Sequence, residues 1–198
     1  MTYNRQLYIE ALNSQLEPNI VKHCLALEAC MGGIYDYLAS QNQLGSHEPP
    51  KDDWLLAGLT HDIDFGGEFK ESHPAKTKEA FAKYNLEVSD RVMRIIKAHA
   101  PDLTQVQPVS KAEWAIFCAD SLTGLIIAVA LILPSKKISD VKLSSVIKRF
   151  LKQPRFAAGT RREEIALCSK PEGLNIPLEK FIEICLTSMQ KIAPELGL

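Results

Sequence analysis

Apolar residues recur three and four apart along almost the whole chain, and stretches that alternate polar with apolar are scarce, so this sequence is patterned for packed helices. The clearest stripe is Ile20, Cys24, Leu27, Met31, Ile34 and Leu38, behind a Pro18 that stands where a first helical residue is favoured. It predicts a long second helix after a short first one near Tyr3 to Asn13. Pro49 and Pro50 turn the chain, and a third helix from about Lys51 to Ile63 is expected to stop before Gly66 and Gly67, placing His61 and Asp62 in its last turn. Pro74 opens a helix to about Tyr84, and the next carries Val92, Ile95, Ile96 and His99 on one face before Pro101 ends it. Ser110 with Glu113 forms a capping-box pattern ahead of the apolar helix through Trp114, Ile116 and Phe117 to Leu133. Beyond Pro134 the pattern predicts helices from Asp140 to Leu151 and from about Leu178 to Ile192, with a second capping box at Thr160 and Glu163.

With 198 residues and 46% hydrophobic content the chain can bury one sizeable core and falls short of two, and no repeat, low-complexity tract or linker marks a boundary. The expectation is one all-α domain, a compact helical bundle spanning 1–198. A net charge of −1 calls for neither nucleic acid nor an anionic membrane as partner, and it leaves the oligomeric state open. The strongest apolar run, Leu125 to Leu133, is shorter than the ~20 residues of a membrane span and is read as core. Cys24, Cys30, Cys118, Cys168 and Cys185 are an odd number without CxxC spacing, and the first residues lack the basic start and apolar centre of a signal peptide. These features imply buried, reduced thiols in a cytoplasmic protein.

Four residues carry the chemistry as a set. His61 and Asp62 are an adjacent pair at a helix end, where alone they would read as a C-terminal cap and a turn residue. Asp120 stands inside the most hydrophobic helix, with Ile116 and Phe117 one turn back and Thr123 and Gly124 one turn forward, so its carboxylate points to the packed side. A buried charge of that kind is held by a buried arginine or hydroxyl, or by a metal. His23 lies beside the stripe of the second helix and alone would read as a hydrogen-bonded core histidine. A divalent ion accounts for all four together, because imidazole and carboxylate donors from separate helices can converge in a bundle interior and suit zinc, iron, manganese or nickel.

The order of these residues, His23, then His61 and Asp62 within AGLTHDIDF, then Asp120 within ADSLTGLI, resembles the H…HD…D pattern of the HD superfamily, and its HDIG-type branch in particular. The resemblance runs from about Val21 to Leu133, giving a metal-binding core over about 18–133 and a C-terminal helical extension over about 134–198. The stretch PSKKISDVKLSSVIKRF is similar to a continuation found in a bacterial HD subfamily, whereas the fourth residue of HDIG is here Asp64. The resemblance implies an HD-type bundle that hydrolyses a phosphate ester, a nucleotide or phosphorylated metabolite, with a divalent ion of iron, manganese, zinc, nickel or magnesium lowering the pKa of water. It implies His23, His61, Asp62 and Asp120 as ligands, with Asp62 able to bridge two ions or orient the water.

Further residues carry alternatives. Asp64 and Glu68 are candidates for proton transfer, or else members of a solvated acidic turn. His73 and His99 occupy places where some HD proteins carry two further histidines, which suggests a second ion; otherwise His73 is a loop residue and His99 a helix-terminal cation. The six-ligand set also resembles di-iron HD oxygenases such as myo-inositol oxygenase, and a third reading makes the ion a staple in a regulatory or binding module. From Lys136 to Arg162 nine lysines and arginines face one acid, Asp140. That excess either steers a phosphorylated substrate, with Lys136 and Lys137 as phosphate contacts, or is a solvated helix face. Phe150 and Phe156 are too few aromatics for a nucleic-acid groove, and His47 reads as an exposed loop residue.

Overall fold

Asn4 accepts a hydrogen bond from the Gln6 amide to start α1 (Arg5–Gln15), and α2 (Pro18–Ser40) starts on its proline as expected. The computed structural model describes residues 3–198, and among them helices follow one another without a strand. After α2 come α3 (Lys51–Thr60), a 3-10 segment (Gly67–Ser72), α4 (Thr77–Lys83), α5 (Asp90–Lys97), the single turn α6 (Pro101–Thr104) and α7 (Lys111–Leu131). The chain ends with α8 (Leu143–Lys152), α9 (Arg162–Ala166), α10 (Leu178–Lys191) and α11 (Ala193–Leu196).

The capping box of α7 forms: the Glu113 amide donates to the Ser110 hydroxyl, and the Glu113 carboxylate accepts from the Ser110 amide. Glu48 adds to it from across the fold by accepting from the amides of Lys111 and Ala112. By length and composition α7 could cross a membrane; in this fold most of it lies in the core, with Glu113 and Asp120 among its buried residues. α2 packs along α3, α7 and α10, and one connected apolar core extends from Tyr8 to Leu196. Phe181, Ile182, Cys185 and Met189 of α10 belong to that core, so the residues after 134 complete the same all-α domain. All five cysteines are buried and unbridged.

Three local expectations shift, two of them because a side chain takes over a backbone bond. α3 ends at Thr60 rather than Ile63, since the His61 ring accepts the role of the next turn and its Nδ1 donates to the Gly58 carbonyl at 3.0 Å. His61 and Asp62 therefore stand just beyond the helix. Pro74 does not open α4; the Asp64 carboxylate accepts from the Lys76 amide and the Thr77 hydroxyl, and the helix starts there. The capping box at Thr160 and Glu163 is absent from α9: the helix starts one residue later with Arg161 at its N-cap, and the Thr160 amide donates to the Ala157 carbonyl at 2.9 Å, leaving nothing for Glu163 to accept.

α2 and α3 meet at Gly58. A Cβ there would lie 2.9 Å from Met31 Cγ and 3.0 Å from the Glu28 backbone, closer than side chains pack. Glu28 is itself fixed by Arg5, whose Nε and Nη2 donate to it at 2.8 and 2.7 Å. Replacing a helix-interior glycine by alanine ordinarily gains roughly 0.5–1 kcal/mol. Gly58→Ala is expected to invert that sign and lose about 1–3 kcal/mol by overpacking, as read by chemical denaturation. A gain in stability would mean that α2 and α3 are free to move apart.

Candidate metal centre

Three packed elements aim their polar side chains at one point. α2 supplies His23, the end of α3 supplies His61 and Asp62, and the middle of α7 supplies Asp120. His23 Nε2 lies 3.1 Å from His61 Nε2 and 3.0 Å from Asp120 Oδ1. Asp62 Oδ2 closes the group at 3.4 Å from His61 Nε2 and 3.7 Å from His23 Nε2. A second group shares the same carboxylate: Asp62 Oδ1 lies 3.4 Å from His73 Nε2 and 4.0 Å from His99 Nε2. His23, His61 and Asp62 form one His/Asp group that could hold a metal ion, and Asp62, His73 and His99 form another, with Asp120 standing beside the first against His23.

The tautomer of every ring follows from its partners. His61 Nδ1 donates to the Gly58 carbonyl and His99 Nδ1 to the Ile96 carbonyl at 2.5 Å. His73 Nδ1 donates to the Asp64 carboxylate at 2.8 Å. His23 Nδ1 meets Thr123 Oγ1 at 2.9 Å, and that hydroxyl already donates to the Asp120 carbonyl at 2.8 Å, so it accepts from the ring. Each Nδ1 thus carries a proton, and each ring turns its Nε2 lone pair, or the proton that occupies it, toward the carboxylates. Two such lone pairs facing each other at 3.1 Å require a positive charge between them. A divalent ion fits this donor set, and a proton is the lesser substitute.

Electrostatics agree with that demand. Burial opposes charge on His61, yet the Asp62 carboxylate carries its imidazole well above the usual range. Burial likewise opposes charge on Asp62 and Asp120, but His61 holds the first and His23 the second far below the usual carboxylate range. His99 is pushed down to about 4 by burial and then by His61, so its ring is neutral and free to ligate. Cys24 adjoins His61, and burial pushes its thiol up, keeping it protonated rather than a thiolate donor.

The structure assigns several sequence candidates to other places. Asp64 is fully buried and holds His73, Lys76 and Thr77, so it positions a histidine instead of sitting in a solvated turn. Glu68 is on the surface and pairs with Lys83 at 2.8 Å. Lys136 and Lys137 are exposed beyond the end of α7, which runs eleven residues or about 16 Å past Asp120. Arg161 comes instead: its Nη2 donates to Asp120 Oδ2 at 2.6 Å, and Nε lies 2.9 Å from Glu164. The arginine that could hold Asp120 is therefore present, but it occupies the oxygen turned away from His23. His47 is exposed, as expected. Sequence reasoning also missed Thr123, although its place one turn after Asp120 put it on the right face.

A cavity of about 500 Å³ opens on the outer side of the cluster, with His23 and Asp120 in its wall. Compared with protein-family models, curated proteins and solved structures, the chain matches none.

Because an ion must displace the proton on His61, loading metal-free protein with Mn²⁺ near neutral pH should release protons, and affinity should rise as pH climbs from about 6 to 8. Isothermal titration in buffers of different ionisation enthalpy reads both. Binding without proton release, equally tight at both ends of that range, would contradict the proton-for-metal exchange.

Proposed function

We propose that this chain is a metal-dependent phosphohydrolase of the HD type, in which His23, His61, Asp62 and Asp120 hold one divalent ion and Asp62, His73 and His99 a second. The observation that carries the reading is the division of Asp62, whose two oxygens face two different pairs of imidazoles while every opposite ring nitrogen is already hydrogen-bonded. Outer partners of that kind are what fix metal-ligating histidines in tautomer and direction. The nitrogen-rich donor set suits manganese, iron, zinc or nickel better than magnesium. The order of the ligands along an all-helical chain supports the HD assignment.

A bound divalent ion supplies Lewis acidity: it makes water acidic enough to attack near neutral pH and offsets charge growing on phosphoryl oxygens. The protein's part is to hold the frame. Asp62 and Asp120 keep the cluster anionic, and the low-dielectric walls of α2, α3 and α7 strengthen each contact. Asp64 and the Gly58 and Ile96 carbonyls keep the rings from rotating. Water's oxygen becomes bonded to phosphorus, the ester P–O bond breaks, and the proton passes to the departing alcohol oxygen.

Elemental analysis of protein purified without chelator, run beside a screen of phosphate esters and nucleotides, tests this. Two ions per chain and release of inorganic phosphate are expected. Asp62→Asn should lose metal and turnover together, whereas His99→Ala should fall from two ions toward one and lose more activity than stability, a helix-end histidine being worth about 0.3–2 kcal/mol. A wild-type count of one, unchanged in His99→Ala, rejects the second site. Oxygen uptake by the iron form with no phosphate released from any ester would replace hydrolysis by oxygenase chemistry.

A further inference from the structure

We propose that the cavity between α7 and residues 157–161 is a recognition site for the single phosphate group of a phosphomonoester, with Arg161 as its cation. The inference rests on the hydrolase reading for its claim that the bound ester is substrate. The cavity's α7 wall is one helical face: Asp120, Ser121 and Gly124 follow three and four apart, with His23 beside them. The facing wall is Ala157, Ala158, Gly159, Thr160 and Arg161. Arg161 is the one lysine or arginine in either wall, and because its Nη2 and Nε already hold Asp120 and Glu164 it has one donor nitrogen, Nη1, to offer a single phosphate group. Its guanidinium already touches Asp120 Oδ2, so a phosphate drawn to it arrives beside the His/Asp cluster.

The facing wall is built to receive an anion. Arg162 donates to the carbonyls of Phe150, Gln153, Phe156 and Thr160, the last of which belongs to the wall, and these bonds fix the segment. The Arg161 amide on Ser121 Oγ pins the same segment to α7. Among the described residues, the amides of Ala158 and Gly159 donate to no protein acceptor, and their side chains are too small to cover them.

Gly124 gives independent support. It lies in the interior of α7, where glycine costs helix stability, yet a Cβ there would meet nothing within 4 Å. No close approach and no left-handed backbone explain it, and the same holds for Gly159. What the two glycines preserve is the open volume itself, about 500 Å³, enough for a phosphate and a small alcohol portion.

The test uses the full chain and inorganic phosphate as probe, followed by calorimetry in metal-free and Mn²⁺-loaded protein, with metal counted separately. Wild type should bind one phosphate per chain in at least one of the two states. Arg161→Gln should weaken that binding roughly tenfold or more, the loss of a charge-assisted contact, while keeping its metal. Gly124→Leu should melt no lower than wild type and lose phosphate by filling the cavity, a result that misfolding cannot imitate. Phosphate affinity within about twofold of wild type in either variant overturns the proposal, as does absence of saturable phosphate binding in both states. Full metal loading with Arg161-independent phosphate binding overturns this inference alone. Arg161-dependent phosphate binding by a chain that takes up no metal overturns the hydrolase reading and leaves the anion site standing.

Discussion

Two imidazole lone pairs, on His23 and His61, meet 3.1 Å apart beside two buried carboxylates, and positive charge has to occupy the space among them. Isolated charges are expensive to bury, so this cluster is tolerable only because its members compensate one another and because the surrounding helices hold them in register. The tight α2–α3 contact at Gly58 sets the distance between the two histidines. Thr123, hydrogen-bonded to both His23 and the Asp120 carbonyl, ties α2 to α7 at the same level. Core packing and site geometry are thus one problem here.

The end of α3 illustrates the coupling. His61 terminates the helix by taking the Gly58 carbonyl and, with its other nitrogen, enters the cluster. Asp64 does the same one turn later, starting α4 through Lys76 and Thr77 while orienting His73. Helix ends leave backbone groups in need of partners, and side chains that satisfy them are held rigidly. Those rigid side chains are the ones a metal centre needs.

The all-helical fold was legible because its signals are local: the stripe from Ile20 to Leu38, the Ser110–Glu113 box and the punctuating prolines act within a turn or two. His23, His61, Asp62 and Asp120 were legible as a set because charge inside apolar helices demands an explanation. Asp64 and Arg161 were not, since their roles depend on tertiary partners. Asp64 read as a proton-transfer candidate or a solvated turn until the segment 73–77 folded over it, and Arg161 was one of nine cations until Ser121, forty residues earlier, fixed its backbone beside Asp120. The helix cap that Thr160 and Glu163 suggested is missing because the Thr160 amide turns back to the Ala157 carbonyl and α9 starts one residue later. Local periodicity carries no information about such pairs.

In the proposed centre Asp62 divides its two oxygens between two cation sites. Anomalous diffraction from crystals grown with Mn²⁺ addresses it directly. Two peaks are predicted, one contacting His23, His61, Asp62 and Asp120 and the other contacting Asp62, His73 and His99. Manganese found elsewhere, or no peak touching either Asp62 oxygen, would contradict the account.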